Sequence, residues 1–238
     1  MIRPAYYAGL LLFLVGLCGV LRAAEEPAFS AKASRLVGIY VALPADGPLP
    51  AGLKPAPLSL DRLRVTPAAA QAQAAAAKGP DPKSACQVLG PFRYMARPDV
   101  KFEILRDAPN KLVLLFQNES WGHLRTISID AAHDPALAKA RPLWNGDSVA
   151  VWKGDTLEID STHFTNKTWL NDAAIANSKQ LHLTERLRLI DGGKYLEYRV
   201  TALDPEVLTE PASYTRYFQR TTSEIVEDTC LPQKPADH

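Results

Sequence analysis

A carboxylate stands among leucines in the segment LHLTERLRL, residues 181–189. Apolar and polar residues alternate along this segment, which is typical of a β-strand with one buried face, and Glu185 falls on the apolar face. In LRTISID, residues 124–130, Arg125 falls on the isoleucine face in the same way. A buried charge without a partner costs several kcal/mol of folding free energy. We therefore expect Glu185 and Arg125 to meet inside the protein.

Three interpretations of these charges stay open at this level. The pair is either a structural ion pair that fixes strand register, or an anchor for a ligand or a reaction, because perturbed carboxylates are frequent in functional clefts. In a reaction, Glu185 would be the general acid or base, with Arg125 or His163 as its electrostatic partner. In the third interpretation the alternation is misread, and Glu185 is exposed at a β-bulge.

Four further residues are candidates for the same site. His163 follows Asp-Ser-Thr at the expected end of a strand, so it is a candidate general base or hydrogen-bonding group for a ligand, with an ordinary loop histidine as the alternative. Trp169 follows polar loop residues and is a candidate for ligand lining, with a core plug as the alternative. Asn118 and Tyr198 complete the candidate ligand-binding set.

Other recognisable chemistry is missing from the sequence. The five histidines show no metal-binding spacing, and no cysteine cluster accompanies them. No glycine-rich phosphate loop and no serine-nucleophile motif occurs. We therefore predict neither a metal nor a cofactor.

Charge and hydropathy restrict the partners. The 238 residues include 27 Lys and Arg against 26 Asp and Glu, and no basic run stands out. A dedicated nucleic-acid or anionic-membrane partner is not expected from this balance. No segment beyond the N-terminal region is long and apolar enough to cross a bilayer, so we expect no stable membrane insertion once that region is removed.

The N-terminal segment, residues 1–24, has the composition of a secretory signal peptide. Arg3 precedes an apolar run that extends to about Leu21, and small residues follow at Ala23 and Ala24. A membrane anchor is the alternative, although the apolar run is short for one. We predict cleavage after Ala23 or Ala24 and a periplasmic or secreted protein.

Two cysteines remain after that cleavage, Cys86 and Cys230. In an exported protein they would most simply form one disulfide, and two unpaired thiols are the alternative. Closing so long a loop would stabilise the protein by roughly 4–5 kcal/mol in the chain-entropy model.

The elements that must position these residues are mostly short strands. Residues 25–85 form an Ala- and Pro-rich lead-in with one predicted strand, 34–43, and one helix that begins after Thr66 and is closed by Gly79. Residues 86–232 alternate in short segments separated by turn residues, with a strong hairpin signal at 191–193. About eight or nine strands follow, and 233–238 is a tail. We predict a mainly β protein, an antiparallel β-barrel or strongly curved sheet, with the helix packed outside it or over one end.

Three segments carry a family resemblance: GDSVAVWKGDTLEIDSTHFTNKTWL (146–170), LHLTERLRLID (181–191) and LEYRVTALDP (196–205). Together with CQVLGPFR (86–93), they resemble an uncharacterised family of exported bacterial proteins of β-rich, lipocalin-like appearance. The resemblance implies a barrel and export, and both Arg125 and Glu185 match its pattern.

Three residues depart from the family's pattern. Lys153 stands where the family has Glu, and Glu158 replaces an apolar residue, which fits an outward position. Asn177 stands where a loop histidine would be expected. Any chemistry that the histidine serves in the family is therefore lost or changed in this chain.

These observations lead to three functional hypotheses. The first is an exported β-barrel that binds a small, largely apolar or amphipathic molecule inside, with Arg125 and Glu185 as polar anchors. The alternative is an exported enzyme, a lyase, isomerase or hydrolase, that uses Glu185 as general acid or base in the same cavity. The third is a structural module of the cell envelope with a filled barrel.

Overall fold

The computed structural model describes residues 31–44, 49–50, 52–53, 60–117 and 124–226. Within them, nine strands close into a barrel. The strands are β1 Gly38–Ala42, β2 Lys101–Ala108, β3 Lys111–Phe116, β4 Leu124–Ile129, β5 Asp147–Lys153, β6 Thr156–Thr162, β7 His182–Ile190, β8 Tyr195–Leu203 and β9 Ala212–Thr221. Three α-helices are described, α1 Ala31–Leu36, α2 Pro67–Ala76 and α3 Pro91–Ala96. None of these helices has the length and hydropathy needed to cross a membrane.

Each strand pairs with the next one along the chain, and β9 returns to pair with β1. Every neighbouring pair is antiparallel except β4 and β5, which are parallel and share only two register pairs, Ser128 with Val149 and Ile129 with Ala150. The predicted mainly β barrel is confirmed, with this one parallel contact added. The parallel contact arises because residues 130–146 carry the chain from the end of β4 back to the end of the barrel at which β4 began.

The barrel interior follows the alternation of the strands. In β7, Leu183, Glu185 and Leu187 are buried, while the residues between them face outward. The same alternation holds along β6 and β9. Aromatic rings fill much of the remaining interior, including Tyr40, Phe102, Phe116, Tyr198, Tyr214 and Phe218.

The lead-in contributes directly to this barrel. Residues 34–43 do not form the single strand predicted from the sequence, because Ala31–Leu36 is helical and the strand begins only at Gly38. Gly38 has φ +147, a backbone conformation that residues with a Cβ rarely adopt, and a Cβ there would also lie 2.6 Å from Nη1 of Arg220, so glycine is favoured at this position. From Gly38 onward β1 pairs with both β2 and β9 and closes the barrel.

The Ala-rich helix α2 begins and ends as its caps predict. The Thr66 hydroxyl accepts a hydrogen bond from the Ala69 amide at 3.2 Å, and Pro67 occupies the first turn. The Gly79 amide donates to the Ala76 carbonyl at 3.0 Å just beyond the helix. None of its residues is buried, and Gln73 Nε2 donates to the Ala173 carbonyl at 2.8 Å. The helix therefore lies outside the barrel.

Helix α3 was not predicted, and all six of its residues are buried. The ring of Phe92 lies 5.1 Å from that of Tyr214 on β9, whose hydroxyl donates to the Phe92 carbonyl at 2.5 Å. The helix thus packs against interior side chains of the barrel. At the other end of the domain, the segment SEIVEDTC, residues 223–230, also reads as a strand in the sequence. That prediction is wrong for 223–226, which have no strand structure, and 227–230 lie outside the described residues.

Candidate functional site

Arg125 and Glu185 meet inside the barrel, as their positions in the alternation predict. Nη1 of Arg125 donates to Oε1 of Glu185 at 2.8 Å, and Nη2 donates to Oε2. Each side chain is only 1% exposed. β4 and β7, which carry them, are separated around the barrel by β5 and β6. The two charges therefore bond across the interior, and the pairing requires these four strands to curve around it.

Three hydroxyls complete this polar cluster. Arg125 Nε donates to Ser148 Oγ at 3.2 Å, and Nη2 donates to Ser161 Oγ at 2.8 Å. On the other side, the Tyr198 hydroxyl donates to Oε1 of Glu185 at 2.8 Å. We call these five residues the interior cluster. Each of the three guanidinium nitrogens of Arg125 donates to an acceptor within the interior cluster.

The serines of the interior cluster were not predicted, although a signal for them exists. Ser148 shares its parity with Ala150 on β5, and Ser161 shares its parity with Leu157 and Ile159 on β6. The same alternation that identified Glu185 could have placed both hydroxyls inside. Small polar residues on a buried face are easily overlooked because they carry no charge that demands a partner.

The electrostatics of the interior cluster keep the Arg125 guanidinium charged. Burial alone would lower the pKa of Arg125, but the adjacent Glu185 carboxylate raises it, so the guanidinium stays charged. Burial and the same carboxylate raise the pKa of Tyr198 well above its ordinary value. Burial likewise raises the pKa of Tyr214, whose ring lies 6.1 Å from that of Tyr198. Both phenols are therefore protonated and available as hydrogen-bond donors.

The barrel wall beside Arg125 is the least bonded part of the sheet. The β4–β5 register covers only Ser128 and Ile129 on β4, so the first residues of β4, among them Arg125, have no ladder partner on β5. There the two strands are joined by side chains, through the bonds of Arg125 to Ser148. This stretch of wall is therefore held by side-chain bonds rather than by a backbone ladder.

His163 lies close to the interior cluster in the chain but does not bond to Glu185. It follows β6, two residues beyond Ser161, with φ +62, and its carbonyl accepts a hydrogen bond from the Leu143 amide at 3.0 Å. Its Nε2 is buried and has no hydrogen-bond partner among the described residues. The two predicted catalytic groups are thus not joined by a hydrogen bond, and an unpartnered ring nitrogen remains at the end of β6.

Trp169 is placed away from the interior cluster. Its ring is half-buried, and the guanidinium of Arg93 lies 5.4 Å from its centroid. Arg93 is itself buried on α3 and binds Asp81 and Asp172. Trp169 therefore packs against a structural cation, which resembles the core-plug alternative more than a ligand platform.

Two other predictions each involve a residue outside the described part of the chain, Asn118 in one and Cys230 in the other. Asn118 lies there, and its expected ligand-binding role stays a prediction. Cys86 is described, at the end of a short 3₁₀ turn, whereas Cys230 is not, so their disulfide also stays a prediction.

Asn177, at the position where the family resemblance implies a histidine, is a buried structural residue. Its Nδ2 donates to the Thr165 carbonyl at 2.6 Å, and its Oδ1 accepts from the Thr168 hydroxyl at 2.5 Å. The next residue, Ser178, is held by Asp204, which accepts from both its amide and its hydroxyl. These bonds fix the long connection between β6 and β7 rather than present a reactive group.

A second polar chain, which sequence reasoning missed, crosses the outside of the barrel. Asp147 Oδ2 lies 2.7 Å from Nδ1 of His133, Asp160 Oδ1 lies 2.8 Å from Nε2 of His133, and Asp160 Oδ2 lies 2.5 Å from Nε2 of His182. Burial would lower the pKa of His133, but the hydrogen bonds that its ring donates to the two carboxylates outweigh it and raise the pKa. We call this chain the histidine clasp, since it fastens the β4–β5 connection to β5, β6 and β7. The residues are too far apart in sequence to form a recognisable motif.

In the described part of the chain, no group of three His, Cys, Asp or Glu side chains is placed to hold a metal ion. The fold and the site together define a closed β-barrel with a fully buried ion pair at its centre. In comparisons with known proteins, no family model matches the chain and no curated protein matches its sequence.

Proposed function

We propose that this protein is an exported β-barrel that binds a small, largely apolar molecule in its interior, with the interior cluster recognising one polar group of that molecule. The observation that carries the proposal is the complete burial of Arg125 and Glu185 in a ring of three hydroxyls. Export is supported by the composition of residues 1–24 and by the family resemblance.

The energetics of burial favour recognition over stability as the reason for this cluster. A buried ion pair contributes little net stability, because desolvation of two charges offsets their attraction, and well-packed apolar residues of similar size often stabilise a core as much or more. Small barrels are readily filled by apolar side chains alone. Five polar groups gathered at one point of an aromatic interior are better explained by a polar group that they recognise.

The surroundings of the interior cluster indicate the chemistry of the ligand. The aromatic rings of Phe102, Phe116 and Phe218 suit an apolar body. A carboxylate or hydroxyl on that body could replace Ser148 or Ser161 as an acceptor for Arg125, since serine hydroxyls can rotate to new partners. Nε2 of His163 offers a further hydrogen-bonding position. The side-chain-bonded stretch of wall between β4 and β5 supplies a route to the interior.

Native mass spectrometry of the protein purified from its exporting host tests this proposal. We expect a fraction of the molecules to carry an additional small-molecule mass, released on denaturation. Tyr198→Phe removes a hydroxyl from the interior cluster and should lower that fraction. Tyr217→Phe is the matched control, because Tyr217 belongs to the outward-facing set of β9 and should leave the fraction unchanged.

A structural envelope module is the second candidate, and one observation favours it. Arg125 already donates from Nε, Nη1 and Nη2 within the protein, so no donor nitrogen waits for a ligand. If no additional mass is found, and if Tyr198→Phe changes only the stability, the interior cluster is structural. The acid–base alternative has no such observation, because both Glu185 oxygens are bonded and no hydrogen bond joins Glu185 to His163.

A further inference from the structure

A charged groove lies on the outer face of β5, β6, β7 and β8, away from the interior cluster. Its volume is about 330 Å³. The charged side chains that line it are Lys153, Glu158, Arg186, Arg188, Glu197 and Arg199. Four of these are cations and two are carboxylates, so the groove carries an excess of two positive charges. We call it the arginine groove.

The strand register places two of these cations directly opposite each other. Arg186 on β7 is the register partner of Arg199 on β8. Like charges at directly opposed positions of an antiparallel pair destabilise a sheet. Arg186 is compensated by Glu158, but among the described residues Arg199 has only a 4.0 Å approach to Glu197. The juxtaposition is costly in the absence of an anion and favourable once an anion lies between the guanidinium groups.

The depth of each side chain reinforces this arrangement. Glu158 and Glu197 are 11% and 15% exposed, whereas Arg186 and Arg199 are 52% and 56% exposed. Lys153 lies on the same rim and also pairs with Glu158. Together with the hydrogen bonds from Arg186, Lys153 lowers the pKa of Glu158, which stays ionised at the base of the groove. A solute that approaches from solvent therefore meets the cations first.

We propose that the arginine groove binds a doubly charged tetrahedral oxyanion, the phosphate or sulfate group of a small soluble molecule. Guanidinium groups match such an oxyanion because each can donate two parallel hydrogen bonds to it. The charge of the ligand equals the excess of the groove, and the two opposed arginines provide donors from both sides. This site is independent of the proposed interior ligand.

Isothermal titration of the exported protein with sodium sulfate, and separately with sodium phosphate, tests the proposal at constant ionic strength set by chloride. We expect saturable binding of one anion per chain. Arg199→Gln should weaken it roughly tenfold or more, the effect of losing one charge-assisted contact. Arg199→Lys keeps the positive charge but loses the two parallel N–H donors of the guanidinium, so it should weaken binding by less than Arg199→Gln does. Arg64→Gln, which removes the same charge from an exposed arginine paired with Glu210, should have no effect.

Three results would overturn the site. If the heat of titration rises without saturating, the anions interact only with the overall charge of the protein and not with a defined site. Equal weakening of anion binding by Arg199→Gln and Arg64→Gln leads to the same conclusion. Binding to phosphatidylglycerol vesicles without saturable binding of sulfate or phosphate assigns the cations to a membrane surface instead. Circular dichroism of each variant establishes that the barrel is intact before the affinities are compared.

Discussion

Glu185 is bound on both of its oxygens, and this determines what its removal would do. Arg125 is as deeply buried as its partner and stays charged because of it. Breaking a buried pair by removing one member is far more costly than the net value of the pair, because the other charge is left without compensation. The interior cluster therefore reacts to mutation as a unit.

Glu185→Gln should lower the free energy of unfolding by about 3–5 kcal/mol, since it leaves the Arg125 guanidinium buried without a counter-charge. Urea denaturation followed by circular dichroism measures the change. Glu210→Gln is the matched control, because Glu210 pairs with Arg64 on the surface and such pairs contribute about 1 kcal/mol or less. A loss for Glu185→Gln no larger than that of the control would contradict the buried pair.

At the scale of single residues, the sequence identifies site residues when the type of a side chain conflicts with its position in the strand. A charge on an apolar face is such a conflict, and it identified Arg125 and Glu185. Ser148 and Ser161 create no comparable conflict, and the histidine clasp joins residues from four segments that only strand pairing and the path of the β4–β5 connection bring together. For Trp169, an aromatic side chain alone does not reveal the cation, Arg93, that packs on it, so the sequence left ligand lining and a core plug as alternatives.

Among the elements, the β4–β5 connection stands out because it is fastened by titratable groups. His133 belongs to this connection and is faced by Asp147 on β5 and by Asp160 on β6, with His182 of β7 on the other oxygen of Asp160. The clasp is strongest when the carboxylates are ionised and His133 is protonated. Its contribution to stability should therefore depend on pH in both directions.

The free energy of unfolding should show a maximum in mildly acidic solution. In the folded protein the pKa of His133 is raised above its ordinary value of 6.5. The contribution of His133 to the free energy of unfolding is therefore complete below pH 6.5 and is lost as the pH rises through the higher folded pKa. Burial would raise the pKa of Asp160, but hydrogen bonds from His133 and His182 outweigh it and lower the pKa below 3.8. The contribution of Asp160 is thus complete above 3.8 and is lost as pH falls through the folded pKa.

Urea denaturation from pH 3 to pH 9 measures this dependence. His133→Gln should flatten the decline above pH 6.5, whereas His163→Gln, which is outside the clasp, should leave it in place. An unchanged decline in His133→Gln would show that the clasp does not contribute.

Gly146 begins the turn into β5, and its lack of a side chain is required there. It has φ +70, and a Cβ would lie 2.6 Å from the Phe164 ring and 2.8 Å from the Thr162 carbonyl oxygen. Gly146→Ala should cost about 2–4 kcal/mol through backbone strain and overpacking. Gly154 has a similar φ of +60 but open space around it, so Gly154→Ala should cost only the free energy of the backbone strain. Thermal unfolding separates the two, and equal losses would contradict the steric explanation.

Elements with a local signal were predicted, and elements set by tertiary contacts were not. The hairpins and α2 have turn residues and caps in their own sequence. Helix α3 is six residues long and entirely buried, so it has neither the length nor the polar face that marks a helix in sequence. The parallel pairing of β4 and β5 depends on the path of residues 130–146, which alternation along a strand does not reveal.

At the scale of the whole molecule, closure depends on a strand that lies far from the others in sequence. β1 is antiparallel to β2 and to β9, so without it those two strands would run in the same direction across an open gap. Both would then expose unpaired backbone edges, which favour association between chains. The lead-in is therefore required for closure of the barrel.

A fragment of residues 86–238 should accordingly form soluble aggregates or oligomers with reduced β-sheet content. A fragment of residues 31–238, which retains β1, should behave as the chain of residues 25–238. Size-exclusion chromatography with light scattering, together with circular dichroism, compares the two. A monomeric and cooperatively folded 86–238 fragment would show that closure by β1 is dispensable.

The parallel contact between β4 and β5 has a cause that no single residue supplies. Travelling once around a ring of strands must return to the starting direction, so the number of reversals is even. A ring of nine has nine contacts, and at least one of them must join strands that run the same way. Substitutions in β4 or β5 can strengthen or weaken this junction, but only an even number of strands would remove the need for one.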